Sequence, residues 1–182
     1  MIGALAKYLG DTSQKKLISA FEKLVELLIR VSEKVRQSIC KCIPQLAQFF
    51  PGKAKVYLAE QLKVLRETKD DRLLKSAAYA TAGLLKCLGM TELENLKILD
   101  IFASESFDSK RVEIVRKVAG LNLYEALSFS MGRSFEVYLP RVFPHILGCI
   151  SDSKEPVRWA AQDALKMILA NFSNFAIKQA LP

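Results

Sequence analysis

One short pattern recurs four times along this chain at nearly constant spacing, and it constrains the fold more than any other feature. At each place a polar turn precedes a basic residue, which small and branched apolar residues follow. The basic residues are Arg36, Lys75, Arg116 and Arg158, separated by 39, 41 and 42 residues. Such a period is typical of proteins that stack one supersecondary unit on the next, because a single unit cannot bury its apolar face alone.

The apolar spacing within each unit is helical. Leu17, Phe21, Leu24, Leu28 and Val31 recur three and four residues apart, which places them on one helix face. The sequence has neither the strict alternation of a half-buried strand nor an Asn-Gly or Asp-Gly hairpin turn. The period lies close to the roughly 40 to 47 residues of HEAT and armadillo repeats. We therefore predict an all-α chain, an α-solenoid of about four HEAT repeats (antiparallel helix pairs) with partial repeats at both ends.

The sequence also predicts where the helices lie. The first helices of the pairs are expected at about 14–30, 53–67, 91–103 and 135–150, and the second helices at about 33–50, 71–88, 111–131 and 155–171. Pro140 and Pro144 should make the last first helix kink or begin late. The segment Gly132-Arg133-Ser134 is expected to be a helix C-cap and turn.

The two ends of the chain resemble pieces of further repeats. Residues 2–9 are typical of the tail of a second helix, and residues 173–181 of the beginning of another first helix. Terminal repeats of a solenoid need a polar outer face, which neither end supplies. We therefore expect residues 1–182 to be a single solenoid segment of a much larger protein.

Catalytic and metal chemistry are not indicated. His145 is the one histidine, and nothing near it in sequence completes a nucleophile–base set. Neither a phosphate loop nor a dinucleotide-binding fingerprint is present. Cys40, Cys42, Cys87 and Cys149 lack the ligand spacing of a zinc site, so we expect buried free thiols. The predictions are no enzyme activity, no cofactor and no metal.

The hydropathy pattern argues against a membrane protein. The most apolar segment, residues 24–31, is interrupted by Glu26 and Arg30 and is far shorter than the roughly 18 residues that a membrane span needs. Lys7 and Asp11 interrupt any signal-peptide core at the N-terminus. We predict a cytoplasmic protein.

The four repeated basic residues, here called the basic ladder, have a structural and a functional interpretation. Each is expected to pair with an acidic residue of the preceding turn and so to tie neighbouring repeats together. The available acidic partners are Glu33, Asp70 or Asp71, Asp108 and Asp152. Direct contact with a partner is the alternative, and we favour the structural role.

A second set of basic residues falls between the two helices of each pair. We call it the basic ridge, and its members are Lys69, Arg72, Lys110, Arg111 and Lys154. Such turns stack along one edge of a solenoid, and the chain carries a net charge of +8. A basic stripe is the electrostatic footprint of a phosphate-rich partner. Nearby acidic residues dilute the stripe, so a solvated charged edge remains the alternative.

Three segments carry a more specific resemblance: AAYATAGLLKCLG at 77–89, GRSFEVY at 132–138 and VRWAAQDALK at 157–166. In this order they resemble the general control non-derepressible one family, very large HEAT scaffolds that activate the kinase of translation initiation factor two alpha. The matching region is similar to the HEAT segment of elongation factor three. Val137, Trp159, the order Ala119-Gly120 and an insertion-like segment at 104–109 depart from the family pattern.

The resemblance implies a non-catalytic, ribosome-associated scaffold segment in the amino-acid starvation or stalling response. Its implied partners are the ribosome, through RNA or a ribosomal protein, and an ATP-binding-cassette partner protein. A regulatory kinase would bind other parts of the parent. Two alternatives stay open: a generic HEAT adaptor for an acidic or helical protein partner, and the HEAT segment of elongation factor three.

Overall fold

Helices follow one another along the chain as antiparallel pairs. The structure, a computed structural model, describes residues 11–104 and 113–180, with the side chains of 14–103 and 114–179. The helices are α1 Asp11–Leu27, α2 Glu33–Ala47, α3 Pro51–Glu67, α4 Asp71–Leu88, α5 Met90–Asn95, α6 Ile98–Ser104, α7 Glu113–Met131, α8 Leu139–Ile150, α9 Glu155–Asn171 and α10 Asn174–Ala180, with a 3₁₀ helix at Gly132–Tyr138. The described residues form helices and turns without strands, which confirms the predicted all-α solenoid.

The pairs stack with their second helices in a row. The first helices are α1, α3, the broken α5–α6 and α8, and the second helices are α2, α4, α7 and α9. Each second helix packs against the first helix of its own pair, and the row runs α2, α4, α7, α9. This stacking lets each pair bury the apolar face that it could not cover alone.

Local chemistry sets the helix boundaries. Asp70 caps α4, since its Oδ1 accepts hydrogen bonds from the backbone N–H groups of Arg72 (2.8 Å) and Leu73 (3.2 Å). Gly132 follows α7 with a φ of 55°, a left-handed conformation that glycine adopts without strain, as the predicted C-cap requires. Pro140 lies in the first turn of α8, which begins at residue 139 as the predicted late start requires.

The third first helix differs from the prediction. The expected helix over 91–103 is broken into α5 and α6 around Lys97, whose φ of 48° is left-handed. The segment 174–180 is a helix that packs on α8, as expected for the start of a further repeat. The predicted tail helix at 2–9 and the residues 105–109 of the insertion-like segment lie outside the described residues.

The core is apolar and is centred on α4 and α7. Every residue from 76 to 85 and from 118 to 128 is buried, so these central stretches of α4 and α7 are enclosed on all sides. Small residues permit this close approach: a Cβ added to Gly83 would lie 2.8 Å from the Ile43 side chain of α2. None of the described helices is both long and apolar enough to cross a membrane.

Candidate functional site

The second helices converge on one lysine. Lys75 Nζ of α4 lies 3.7 Å from Glu33 Oε2 of α2, 3.2 Å from Glu125 Oε2 of α7 and 3.6 Å from Asp163 Oδ2 of α9. Packed helices lie roughly 8–10 Å apart, so a straight row would separate α2 from α9 by nearly 30 Å. Lys75 contacts carboxylates on both α2 and α9, and the row of second helices is therefore strongly curved around this lysine.

Tyr79 completes this group, which we call the inner-face cluster: Glu33, Lys75, Tyr79, Glu125 and Asp163. The Tyr79 hydroxyl oxygen lies 2.6 Å from Glu33 Oε1 and 2.8 Å from Glu125 Oε1. Glu125 is only 3% exposed, whereas the Glu33 side chain is 41% exposed. The cluster therefore joins all four second helices through charged and hydrogen-bonded groups.

Burial and charge shift the pKa values of this cluster. Burial raises the pKa of Glu125 above its usual value, and Lys75 offsets part of that rise. Burial alone would lower the pKa of Lys75, but the charges of Glu125, Glu33 and Asp163 together raise it. Burial and the two neighbouring carboxyl groups raise the pKa of Tyr79, so its hydroxyl is neutral.

The inner face leaves little open space. The cavity over the cluster has a volume of about 340 Å³, and Gln37, Lys166 and Met167 complete its lining. Such a volume suits a small molecule or a single side chain.

Two members of the basic ladder bond the turn before their helix. Arg36 donates from Nη1 to Glu33 Oε2 (2.7 Å) and from Nε to the Leu28 carbonyl (3.2 Å). Arg158 donates from Nη1 to the backbone carbonyl of Asp152 (2.9 Å). Both contacts satisfy carbonyl or carboxylate groups at the helix junction, in keeping with the structural role expected of these residues.

The pairing expected for Lys75 is wrong. Its ion pairs are with the other second helices, not with Asp70 or Asp71, because Asp70 caps α4 and the Lys75 side chain turns onto the inner face. Arg116 is half-buried, and Asp108, its expected partner, lies outside the described residues.

Sequence reasoning missed a further link between the third and fourth repeats. Lys117, next to the ladder residue, lies with Nζ 3.0 Å from Asp152 Oδ2, and the side chains are 17% and 13% exposed. Asp152 Oδ1 also accepts the backbone N–H of Lys154 at 2.9 Å. This backbone hydrogen bond, aided by Lys117, holds the pKa of Asp152 below its usual value. The only sequence signal for this ion pair was the presence of Asp152 in the turn of the repeat that follows Lys117.

The basic ridge is solvent-exposed where the structure describes it. Lys69, Arg72 and Lys154 lie in or beside the turns before α4 and α9 and are exposed. Among the described residues, none of these three forms an ion pair. Lys110 and Arg111 lie outside the described residues, so the continuity of the ridge stays a prediction.

His145 packs as a neutral core residue. It is 8% exposed, and the Tyr124 hydroxyl lies 3.1 Å from its Nδ1. Burial, with a contribution from the charge of Lys117, lowers the pKa of His145 to about 4. The residue therefore has the surroundings of a packing histidine.

The cysteines partly follow the prediction. Cys40 and Cys149 are buried and Cys87 is half-buried, but Cys42 is exposed, because it lies two residues from Cys40 on the opposite side of α2. In the part of the chain that the structure describes, no group of His, Cys, Asp or Glu side chains is arranged to hold a metal ion.

Stacked antiparallel helix pairs, an enclosed row of second helices and exposed turns define a HEAT-repeat solenoid, a class that uses extended surfaces for binding. The family described as the EF3 N-terminal HEAT repeat matches residues 74–182. The chain belongs to this family, as a HEAT segment of the GCN1 type.

Relatives match the chain along its whole length. It is 32% identical to the human stalled ribosome sensor GCN1 and 35% identical to the Dictyostelium discoideum eIF-2-alpha kinase activator GCN1. Identity to the Saccharomyces cerevisiae eIF-2-alpha kinase activator GCN1 is 30%. Each match covers 100% of this chain and 7% of the relative's length. No solved structure matches the chain.

Proposed function

We propose that this chain is a non-catalytic HEAT scaffold segment of a cytoplasmic translational regulator and that its basic ridge contacts the ribosome. The observation that carries the proposal is the match of all 182 residues to relatives named as a stalled ribosome sensor and as activators of the eIF-2-alpha kinase. The segment would serve the starvation or stalling response by holding the regulator on the ribosome.

The ridge suits this role better than the inner face does. Lys69, Arg72 and Lys154 are exposed and free of ion pairs within the described residues, whereas Lys75 already shares three carboxylates. Exposed cations gain the most from phosphate contact, because they give up no internal partner and release counterions from the nucleic acid. Ribosomal RNA is therefore the favoured contact, with an acidic ribosomal protein as the other.

Two further partners belong to the same proposal. An ATP-binding-cassette partner protein would dock on this region, and the regulatory kinase would bind elsewhere in the regulator. The remaining exposed surface of the first helices, outside the ridge, is available for the cassette protein.

Co-sedimentation with ribosomes across a salt series tests the proposal. The variant K69E/R72E/K154E should pellet several-fold less at low salt than the wild type. Because three phosphate contacts are removed, the slope of log affinity against log salt should become shallower by about 2 to 3. The matched control K16E/K23E/K53E makes the same change of charge at exposed positions of α1 and α3 and should pellet like the wild type.

The two variants separate the outcomes. Equal losses would mean that net charge alone drives pelleting, and wild-type behaviour of both would exclude the ridge. In the latter case the segment would act as a spacer or as a docking site for the cassette protein, which a pull-down from ribosome-free extract would identify. The HEAT segment of elongation factor three is the second candidate, favoured by the description of the matching family.

A further inference from the structure

The inner-face cluster offers one hydroxyl hydrogen to two carboxyl groups. The Tyr79 hydroxyl has a single hydrogen, yet its oxygen lies within hydrogen-bond distance of Glu33 (2.6 Å) and Glu125 (2.8 Å). It can donate to only one of them. Two ionised carboxylates would bring two acceptor oxygens together at the second contact, and a protonated carboxyl group that donates to the tyrosine oxygen removes this conflict.

The surroundings of the two acids identify which one is protonated. Glu33 is partly exposed, and its Oε2 already accepts a hydrogen bond from the Arg36 guanidinium at 2.7 Å. Glu125 is 3% exposed, and burial disfavours its charged form. The hydrogen bonds then run in one direction, from the Glu125 carboxyl to the Tyr79 oxygen and from the Tyr79 hydroxyl to the Glu33 carboxylate.

Lys75 does not overturn this assignment. Its ammonium lies 3.2 Å from Glu125 Oε2 and offsets only part of the effect of burial on that carboxyl group. The same ammonium also faces Glu33 and Asp163, whose second oxygen lies 3.7 Å from Lys166 Nζ.

We propose that Glu125 carries a proton at neutral pH and that this proton is a latch that keeps the row of second helices closed. When Glu125 loses it, Glu33 and Glu125 face the single Tyr79 hydroxyl hydrogen as two carboxylates and repel each other across the tyrosine oxygen. Lys75 and Tyr79 of α4 contact Glu125 directly, and Glu33 of α2 and Asp163 of α9 contact the same two side chains. Repulsion on this face spreads α2 from α7 and straightens the solenoid.

Carbon-13 NMR of the glutamate carboxyl groups tests the proton directly on the unmodified chain. The Glu125 signal, assigned by its absence from E125Q, should have the shift of a protonated carboxyl group at neutral pH. It should titrate only under alkaline conditions. Exposed Glu60 on α3, assigned by its absence from E60Q, serves as the internal reference. A Glu125 signal that titrates together with Glu60 overturns the proposal.

Small-angle X-ray scattering tests the latch. The radius of gyration of the wild type should rise as the pH is raised from neutral to mildly alkaline. E125Q should stay compact, because glutamine keeps a donor for Tyr79 and cannot ionise, and the control E60Q should expand like the wild type. Equal expansion of E125Q, or no expansion of the wild type across the Glu125 titration, would show that the proton does not control closure.

Discussion

At the scale of single residues, burial determines the protonation and reactivity of side chains such as histidine and cysteine, which are often catalytic. His145 is enclosed between α7 and α8 and stays neutral. The thiol of Cys40 has its pKa raised to about 11 by burial, which makes it unreactive. The sequence identified these residues as inert from the absence of partners nearby in the chain, but the direction of each pKa shift depends on packing that only the structure provides.

The buried His145 should make the chain sensitive to acid. Its pKa is about 4 in the folded chain against a usual value of 6.5, so the unfolded chain binds a proton first as the pH falls. The stability that His145 contributes is fully present above pH 6.5 and is lost as the pH falls towards 4. Relative to H145Q, the wild type should lose up to about 3 kcal/mol of unfolding free energy across this range.

Urea unfolding at several pH values measures this loss. Because the sequence contains one histidine, the difference between wild type and H145Q isolates its titration and cancels the shared carboxyl groups. A difference that stays constant from pH 6.5 to 4 would show that His145 titrates in the folded chain as it does in the unfolded chain.

At the scale of helices, the sequence predicted nearly every pair, because apolar spacing and the repeat period both act within the chain. The second helices α4 and α9 match their predicted ranges of 71–88 and 155–171. The break at Lys97 was not predicted, since 91–103 carries neither glycine nor proline to signal it. Such a break depends on the packing of α6 against α7 and α8, which local sequence does not encode.

Replacement of glycine by alanine should have opposite effects at Gly83, where α2 and α4 are in close contact, and at Gly148, which lies on α8. Alanine at Gly83 places its Cβ 2.8 Å from Ile43 and 3.1 Å from the Cys40 carbonyl oxygen. The overpacking should cost about 1–3 kcal/mol, which exceeds the roughly 1 kcal/mol that alanine gains over glycine in a helix. G83A should therefore be destabilised.

Gly148 is the matched control, because a Cβ there meets nothing within 4 Å on the exposed side of α8. G148A should gain about 0.5–1 kcal/mol of unfolding free energy from helix propensity alone. Thermal and urea denaturation of both variants provide the comparison. Stabilisation of G83A to the same extent would mean that α2 and α4 are not in close contact.

At the scale of the whole molecule, curvature creates the inner-face cluster, and curvature is what the sequence could not provide. Lys75 belongs to the basic ladder, whose period predicted a role at each helix junction. Its three acidic partners come from α2, α7 and α9, up to 88 residues away at Asp163. Repeat periodicity predicts which helices are neighbours. The curvature of the row of second helices depends instead on the side-chain volumes at every helix interface.

The contacts of Lys75 with distant repeats predict unfolding behaviour unlike that of an open solenoid. In most repeat proteins each unit contacts only its neighbours, so distant repeats can unfold separately. Here Lys75 joins the first and fourth repeats through Glu33 and Asp163. The described repeats should therefore unfold together, and K75M should separate them, because it removes the cation that links Glu33 of α2 with Asp163 of α9.

Two probes of urea unfolding test this coupling. Far-ultraviolet circular dichroism follows all the helices, and the fluorescence of Trp159, the only tryptophan, follows α9. The two transitions should coincide in the wild type. In K75M the midpoints should separate, with a loss of about 1 kcal/mol, because the ionised partners Glu33 and Asp163 are partly exposed. K34M removes an exposed lysine of α2 and should keep both properties. Coincident transitions in K75M would mean that apolar stacking alone couples the repeats.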